Sequence, residues 1–340
     1  MSNKKTIFIS LISDRDGGLE ESFVFYSNLL IEMGHEVFLL TPTSAPYLSR
    51  INSLARRINF HPKGYWDIFS AIRLSLIAKK YTPDIMLGYN SRAAYYISVI
   101  AKLFNKTQSI GYSHSYKHKK LRFCDSIICV TEDMKSFFLA NGYENRSVEV
   151  LPPIGLELDK ISETHRTQYL NNDSIRFGFL GRMAPEKGIL TLIKAVSKVH
   201  LSKKIKLVIG GNGPQLKSAK NLSSQLNLDA NFIGWVKFKE DFFNQIDVLV
   251  IPSESETFGI VALEAMIRRI PVVSTPTNGA KNIIVDGKSG LISDGFDEIS
   301  LSKRISDIQH TNLSEISDEA FLRALNFEKE ILRDNLIKII

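Results

Sequence analysis

Short apolar runs alternate with longer amphipathic stretches along all 340 residues, and this alternation constrains the fold more than any other feature. Continuous apolar strands separated by helices are typical of parallel sheets with both faces covered. Because a single hydrophobic core stops growing at roughly 250–300 residues, two series of strands predict two domains. We therefore expect an α/β protein with two Rossmann-like, doubly wound parallel-sheet domains. The predicted strands are residues 6–12, 36–41, 84–88, 108–112, 126–130 and 148–152 in the first series, and 175–181, 205–211, 231–235, 248–253 and 271–276 in the second.

The boundary between the two series lies near residues 152–155, where Pro-Pro-Ile-Gly precedes a polar segment that reaches Ser174. We predict an N-terminal domain over residues 1–153 and a C-terminal domain over residues 154–321. The final stretch, FEKEILRDNLIKII, has the pattern of an amphipathic helix. We expect a helix over about residues 322–340 to pack back on the N-terminal domain.

Composition restricts the class of protein. Apolar residues make up 44% and charged residues 23%, as in folded soluble proteins, and no apolar run reaches the ~20 residues that span a bilayer. The N-terminal apolar run resembles a signal peptide, but Asp14, Arg15 and Asp16 follow where a cleavage site needs small residues. Cys124 and Cys129 are too few for a disulfide framework or a zinc site. These features predict a cytoplasmic protein with free thiols.

Positive charge is concentrated in residues 50–122, which we call the basic region. It holds fourteen Lys and Arg residues against Asp67 and Asp84, whereas the formal net charge of the whole chain is +7. Such a concentration suits a polyanionic partner. A solvated basic surface without a partner explains it equally well.

Three loops after predicted strands suit a phosphate ligand, and open parallel sheets bind ligands at the carboxyl ends of their strands. Gly17-Gly18 follows the first strand, where paired glycines allow close approach and the next helix N-terminus favours anions; such glycines are also ordinary turn geometry. Arg182 and Lys187 follow the strand that opens the second series, where a guanidinium and an ammonium can clamp a diphosphate. A second glycine loop, residues 210–214, ends the next strand.

The strongest motif is a pair of glutamates, Glu256 and Glu264, with seven residues between them where a buried strand gives way to a helix. We expect Glu256 in the turn and Glu264 about two helical turns in. The amides around Phe258, Gly259 and Ile260 would face an anion at the positive end of that helix. Glu256 has a simpler explanation, because an acidic residue near a helix N-terminus stabilises the helix by ~0.3–1 kcal/mol without binding a ligand. The second glutamate needs a partner, because an unpaired buried carboxylate is costly.

Together these motifs resemble the GT-B glycosyltransferases of family GT4, the retaining group named glycosyl transferases group 1. The shared segments, within about residues 6–293, are GGLE, GR…EKG, GGNGP, PSESE, ExFGxxxxE and CDSIICVTEDM. The resemblance implies a GT-B fold in which two domains face a central cleft. The chain departs from the family at residues 152–155, which replace a common Pro-Asn-Gly. Residues 278–282 lack one glycine and the glutamate of Gly-Gly-x-x-Glu, which puts the usual contacts to the donor sugar in question.

The resemblance also implies roles for individual residues. Arg182 and Lys187 would bind the donor diphosphate. Glu264 would bind the nucleotide ribose, and Glu256 the hydroxyls of the sugar. The implied catalytic residues are Glu256, Arg182, Lys187 and His114, the last of which would lie opposite the donor sugar and has His118 as an alternative. The implied nucleotide-sugar contacts are Gly17, Gly18, Gly181, Arg182, Lys187, Gly211, Asn212, Gly213, Phe258, Gly259, Ile260 and Glu264.

The implied reaction transfers a sugar from a nucleoside-diphosphate sugar, by default a UDP-sugar, to an acceptor hydroxyl with retention of the anomeric configuration. The acceptor would be a glycan or glycolipid, such as an intermediate of lipopolysaccharide or another surface polysaccharide. No permanently bound cofactor and no metal are expected, because cations and helix amides can stabilise charge on the leaving diphosphate.

The resemblance gives the basic region a candidate partner. Aromatic residues interleave with its charges, and it ends in a cationic cluster at residues 117–120. We expect this surface to dock on the anionic inner leaflet of the cell membrane, where each basic residue contributes about 1 kcal/mol. The protein would then be cytoplasmic and peripheral at the membrane. Nucleic acid is not an expected partner, because no recognised nucleic-acid module is present.

Two alternatives remain open from the sequence. The altered residues 278–282 are compatible with a non-catalytic GT-B subunit that binds a sugar or a protein, and a sugar-nucleotide epimerase shares the two-domain architecture. A nicotinamide dehydrogenase is disfavoured, because Gly17-Gly18 lacks the third glycine of the GxGxxG fingerprint.

Overall fold

A computed structural model describes residues 4–158 and 173–340. Most of the polar segment predicted before Ser174 lies outside these ranges. The chain forms two compact units: the first unit combines Met1–Gly155 with Lys329–Ile340, and the second unit is Leu156–Glu328. Each unit is built on one parallel sheet, which confirms the prediction of two doubly wound α/β domains.

The first unit contains a seven-stranded sheet. Its strands are β1 (Thr6–Ser10), β2 (Glu36–Thr41), β3 (Arg56–Asn59), β4 (Ile85–Gly88), β5 (Gln108–Ser113), β6 (Ser126–Cys129) and β7 (Ser147–Val150), and its helices include α1 (Gly18–Glu32), α2 (Ile68–Tyr81), α3 (Ser91–Ala101) and α4 (Glu132–Phe138). The strand order is β3-β2-β1-β4-β5-β6-β7, so the sheet changes direction between β1 and β4. Every residue of β4 and β6 is buried, as expected for strands covered on both faces.

The second unit contains a six-stranded sheet. Its strands are β8 (Ser174–Leu180), β9 (Lys204–Gly210), β10 (Ala230–Gly234), β11 (Val248–Ile251), β12 (Val272–Ser274) and β13 (Leu291–Ile292), and its helices are α5 (Ile189–Val196), α6 (Leu216–Gln225), α7 (Lys239–Phe243), α8 (Ile260–Met266), α9 (Asn278–Ile283), α10 (Glu298–Ser306) and α11 (Leu313–Ala324). The order is β10-β9-β8-β11-β12-β13, with the change of direction between β8 and β11. Apolar side chains of β8, β9, β11 and α5 form the centre of its core.

The sequence pattern predicts eleven of these strands and misses two at sheet edges. β3 reads Arg-Arg-Ile-Asn, is mostly exposed and pairs with β2. β13 is two residues long. Edge strands are often short and polar because they need not be buried on both faces, so neither gives the apolar run on which the prediction depends.

The last helix, α12 (Lys329–Ile339), belongs to the first unit. Leu332 and Leu336 are its buried residues, and Lys329 Nζ lies 2.6 Å from Glu32 Oε2 of α1. The helix begins at Lys329 rather than near residue 322, because α11 and a 3-10 turn at Leu325–Phe327 occupy the preceding residues.

The two cysteines, Cys124 and Cys129, are unpaired and buried, which confirms the prediction of free thiols. Burial raises the pKa of each thiol to about 12. In the described parts of the chain, no helix combines the length and apolar character that crossing a membrane requires.

Candidate functional site

The motif residues of the second unit lie at the carboxyl ends of β8 and β11, the strands between which its sheet changes direction. Open parallel sheets bind ligands at such a switch point. The loop after β8, residues 181–188, carries Arg182 and Lys187. The loop after β11, residues 252–259, carries Glu256.

Backbone contacts lock these two loops together. The Glu254 amide donates to the Glu186 carbonyl oxygen at 3.0 Å. Gly188 has φ +68°, and a Cβ there would lie 1.9 Å from the Pro252 carbonyl oxygen. Position 188 therefore requires glycine for both its conformation and its packing, and the loops form one fixed platform.

Lys187 and Glu256 form an ion pair across this platform. The Nζ to Oε2 distance is 2.5 Å, and the two side chains are 28% and 23% exposed. Arg182, on the same loop, pairs with Glu186 and is 65% exposed. The platform thus brings together the two cations and the carboxylate of the motif, and their contacts with a diphosphate and with hydroxyl groups stay a prediction.

Glu264 is buried and has the partner that the sequence analysis required. Its side chain is 10% exposed, and Lys239 Nζ of α7 contacts Oε1. The second oxygen, Oε2, is buried and has no hydrogen-bond partner among the described residues. Glu264 is the fifth residue of α8, so it lies little more than one helical turn from the helix start and not the expected two, because α8 begins only at Ile260.

The second glycine loop contacts its neighbouring loop. Gly211 has φ +121°, and a Cβ there would lie 1.9 Å from the Gly181 carbonyl oxygen; one on Gly213 would lie 2.5 Å from that of Met183. The Met183 amide donates to the Asn212 carbonyl oxygen at 2.8 Å. These glycines fix the loop after β9 against the loop after β8, and their approach to a ligand stays a prediction.

Residues 258–260 form the turn into α8. Phe258 is 5% exposed and packs edge-on against Phe327, and Gly259 precedes the first helical residue, Ile260. The Gly279 amide of α9 donates to the Glu256 carbonyl oxygen at 2.8 Å. A Cβ at position 279 would lie 2.8 Å from the Phe258 carbonyl oxygen, so the altered segment 278–282 supports the glutamate turn through the one glycine that it retains.

Gly17, Gly18 and His114 belong to the first unit. Gly17 precedes α1 with an extended backbone, φ −172°, and a Cβ there would meet Glu20 Oε2 at an ordinary 3.4 Å. Gly18 is the first residue of α1. Local geometry thus does not demand glycine at position 17, and the predicted ligand contact of this pair stays a prediction.

His114 follows β5 and packs 4.8 Å from the Tyr112 ring. Its Nε2 is buried without a hydrogen-bond partner among the described residues, and burial lowers its pKa to about 3. His118, the alternative candidate, packs against Phe137, and its Nδ1 lies 3.3 Å from the Tyr116 carbonyl oxygen. Of these two candidates, His114 is the one with a buried ring nitrogen that has no hydrogen-bond partner among the described residues.

Sequence reasoning missed Lys239. Its signal is faint, a lysine that opens a five-residue helix shortly after Gly234. Among residues 4–158 and 173–340, no three His, Cys, Asp or Glu side chains cluster as metal ligands do. The predicted independence from metal is not tested by that observation and stays a prediction.

Comparison with known proteins identifies the family. The model of the family described as Glycosyltransferase Family 4 matches residues 16–154, and that of Glycosyl transferases group 1 matches residues 161–320. The lipopolysaccharide core biosynthesis glycosyltransferase LpsE of Rhizobium meliloti (strain 1021) is 24% identical over 335 residues, 96% of each chain. The capsular polysaccharide biosynthesis glycosyltransferase CapM of Staphylococcus aureus is 28% identical over 66% of this chain and 58% of its own.

A solved structure shows the same fold. Anabaena HepE in complex with UDP and glucose superposes with a TM-score of 0.82 at 16% identity, over 98% of this chain and 99% of that one. The two family models together span most of the chain. Each matched half contains one Rossmann-like domain, and the motif residues lie together at the switch point of the second sheet. The chain therefore belongs to the GT-B glycosyltransferases.

Proposed function

We propose that the protein transfers a sugar from a UDP-sugar to a glycan acceptor, with retention of the anomeric configuration, during assembly of lipopolysaccharide or another surface polysaccharide. The observation that carries the proposal is the placement of Lys187, Glu256 and Glu264 on and beside one locked platform at the switch point. The UDP complex of Anabaena HepE supports the donor class, and the names of the two curated relatives support the pathway.

In this proposal the second unit binds the donor. Glu264 Oε2 is a buried acceptor without a partner, and leaving such an oxygen unsatisfied costs about 1–3 kcal/mol. A ribose hydroxyl that donates to it would remove that cost. The diphosphate would then lie toward Arg182 and Lys187.

In this proposal Arg182 and Lys187 also stabilise the leaving group of the transfer reaction. Negative charge develops on the diphosphate as the glycosidic bond breaks, and preorganised cations and amides stabilise it. Glu256 holds the Lys187 ammonium in place at 2.5 Å and presents its remaining carboxylate oxygen to the sugar hydroxyls. The proposed mechanism uses no metal ion, because these two cations supply the positive charge.

Calorimetric titration with UDP, GDP and ADP tests the donor site. Wild-type protein should bind UDP, and Glu264→Ala and Lys187→Ala should each lose that binding. Lys194→Ala, an exposed position on α5, is the matched control and should bind UDP like wild type. Folded wild-type protein that binds none of the three nucleotides would refute the proposed function. The anomeric configuration of the product, read by NMR coupling constants, tests retention.

We further propose that the basic region docks on an anionic membrane surface, with α2 as its contact. Leu74 and Ala78 are the buried residues of α2. Residues 66–76, which include the start of α2, also present large apolar side chains to solvent: Trp66 is 83%, Phe69 88% and Leu76 64% exposed. An apolar stripe beside basic residues is typical of helices that lie in the membrane interface.

Flotation with liposomes tests the docking proposal. The protein should float with vesicles that contain anionic lipid and stay behind with neutral ones, and Phe69→Ser should reduce flotation. Trp235→Ser removes a side chain that is 72% exposed in the second unit and should change nothing. Equal binding to both vesicle types, or to neither, would rule out the proposal.

A further inference from the structure

The first unit has its own cavity at the point where its sheet changes direction. The cavity measures about 300 Å³ and opens at the carboxyl ends of β1, β4 and β5. Ile12 lines it from the loop after β1, residues 90–92 from the start of α3, and residues 113–115 from the end of β5 onward. By position it corresponds to the ligand site of an open parallel sheet.

The charges that line this cavity have one sign. Arg92 and Lys117 line it, and none of the described lining residues is acidic. Arg92 Nη1 lies 3.3 Å from the Pro62 carbonyl oxygen, a contact that holds the guanidinium at the cavity. A pair of cations without a carboxylate among the lining residues raises the local concentration of anions.

The start of α3 adds to the positive electrostatic potential at the cavity. Asn90 caps the helix by accepting from the Ala93 amide at 2.9 Å. Ser91 and Arg92 are the first two residues of α3, so the helix itself offers their amides no carbonyl partner. Free amides at the positive end of an eleven-residue helix attract anionic groups.

The remaining wall suits a sugar ring. The rings of Tyr89 and Tyr112 stack at 4.5 Å with an interplanar angle of 6° and are each 1% exposed, so they form the buried base of the wall, and the partly exposed His114 ring packs on them. Tyr65 also lines the cavity. The buried, unpartnered His114 Nε2 lies in this wall and gives a hydroxyl group a polar partner. Tyr65 and His114 are the partly exposed rings of this wall, and aromatic side chains beside a few polar atoms are typical of small-molecule sites.

We propose that this cavity receives an acceptor sugar that carries a negative charge, either a phosphate ester or a carboxylate, and that Arg92 and Lys117 select it. The proposal rests on the function proposed above, because it names the acceptor class of that reaction. The charged group lies between the two cations and the start of α3, and the sugar ring lies against the partly exposed rings of Tyr65 and His114.

Ligand-observed NMR titrations of the full chain, saturated with UDP, test this selection. The probes are glucose 6-phosphate, glucuronate and methyl glucoside. At least one anionic probe should bind about tenfold more tightly than methyl glucoside, the gain expected of one charge-assisted contact. The stronger of the two anionic probes distinguishes a phosphate acceptor from a carboxylate acceptor.

Charge-neutral variants assign the preference to the cavity. Arg92→Gln and Lys117→Gln should each reduce the anionic preference several-fold and keep the circular dichroism of wild type. Lys119→Gln removes the same charge from a neighbouring exposed position that does not line the cavity, and it should retain the preference. If Lys119→Gln and Lys117→Gln reduce the anionic preference equally, the preference arises from the overall positive charge of the surface, and the proposal is overturned.

Anionic probes that bind no better than methyl glucoside, including no detectable binding of any probe, would also overturn it. UDP binding by wild type is measured first and independently. Its absence refutes the proposed function, whereas UDP binding without an anionic preference refutes the acceptor inference alone.

Discussion

The two units place their candidate sites at equivalent points of equivalent sheets, yet they distribute charge differently. In the second unit the cations at the switch point are paired, Lys187 with Glu256 and Lys239 with Glu264. In the first unit Arg92 and Lys117 line a cavity without a carboxylate among its described lining residues. Paired charges suit a ligand that has both a diphosphate and hydroxyls, whereas unpaired cations suit a simple anion.

The loops after β8 and β1, the first strands of the two sheets along the chain, differ in packing as well. Loops of the second unit touch backbone to backbone through glycines, as at Gly188 and Gly211. The corresponding turn of the first unit, at Gly17, has room for a side chain. We therefore expect the platform of residues 181–188 and 252–259 to be sensitive to substitution of its glycine, and the first loop of the first unit to tolerate it. Four predictions test this contrast.

The largest expected effect is on folding stability at the glycine turns. Gly188→Ala places a Cβ against the Pro252 carbonyl oxygen in a left-handed conformation and should lower the free energy of unfolding by about 3 kcal/mol or more. Gly17→Ala should cost under about 1 kcal/mol, the scale of a helix-cap change. Urea unfolding followed by circular dichroism measures both. Similar losses in the two variants would remove the contrast in loop packing.

Removing the partner of Glu264 should weaken nucleotide binding. Lys239→Ala leaves a buried carboxylate unpaired, so UDP affinity should fall tenfold to a hundredfold, the equivalent of about 1.4–2.8 kcal/mol. Lys237→Ala, whose ammonium lies over the Phe238 ring, removes an equal charge two residues away. Calorimetry should find UDP affinity within about twofold of wild type for that control, and equal losses would assign the effect to general charge.

Acidification should destabilise the first unit through His114. Its pKa is lowered to about 3 in the folded protein, so between pH 6.5 and 3 the unfolded state binds a proton that the folded state does not. Stability from this group is complete above pH 6.5 and decreases as the pH falls, by about 1–2 kcal/mol between pH 7 and pH 5. Urea unfolding of wild type and His114→Gln at both pH values measures it. An unchanged pH dependence in His114→Gln would show that the imidazole is not responsible.

The smallest effect is expected at the exposed ion pair of the platform, Arg182 with Glu186. Glu186→Gln frees Arg182, and because exposed ion pairs are worth about 0–1 kcal/mol, UDP affinity should rise no more than about fivefold. Glu254→Gln changes the same charge at a nearby exposed position. If UDP affinity rises equally in the control, the cause is long-range repulsion between carboxylates and UDP rather than release of Arg182. If affinity is unchanged in both variants, the Arg182–Glu186 pair has no influence on UDP binding.

The sequence predicts much of the fold because buried strands require apolar residues on both faces. Eleven strands follow from that pattern, whereas the edge strands β3 and β13 do not, since β3 is mostly exposed and β13 is only two residues long. The pattern also predicts the final helix but not its start at Lys329, because helix periodicity does not mark where α11 ends and α12 begins.

The sequence by itself also determined the spacing of Glu256 and Glu264, the loop that carries Lys187, and the need of Glu264 for a partner. Only the tertiary structure decided which residue that partner is. Lys239 precedes Glu264 by 25 positions, and their contact depends on how α7 and α8 pack at one end of the sheet. The cavity around Arg92 and Lys117 likewise joins three loops that are separate in the chain. The strand order that brings these segments together arises from long-range packing, which no local pattern records.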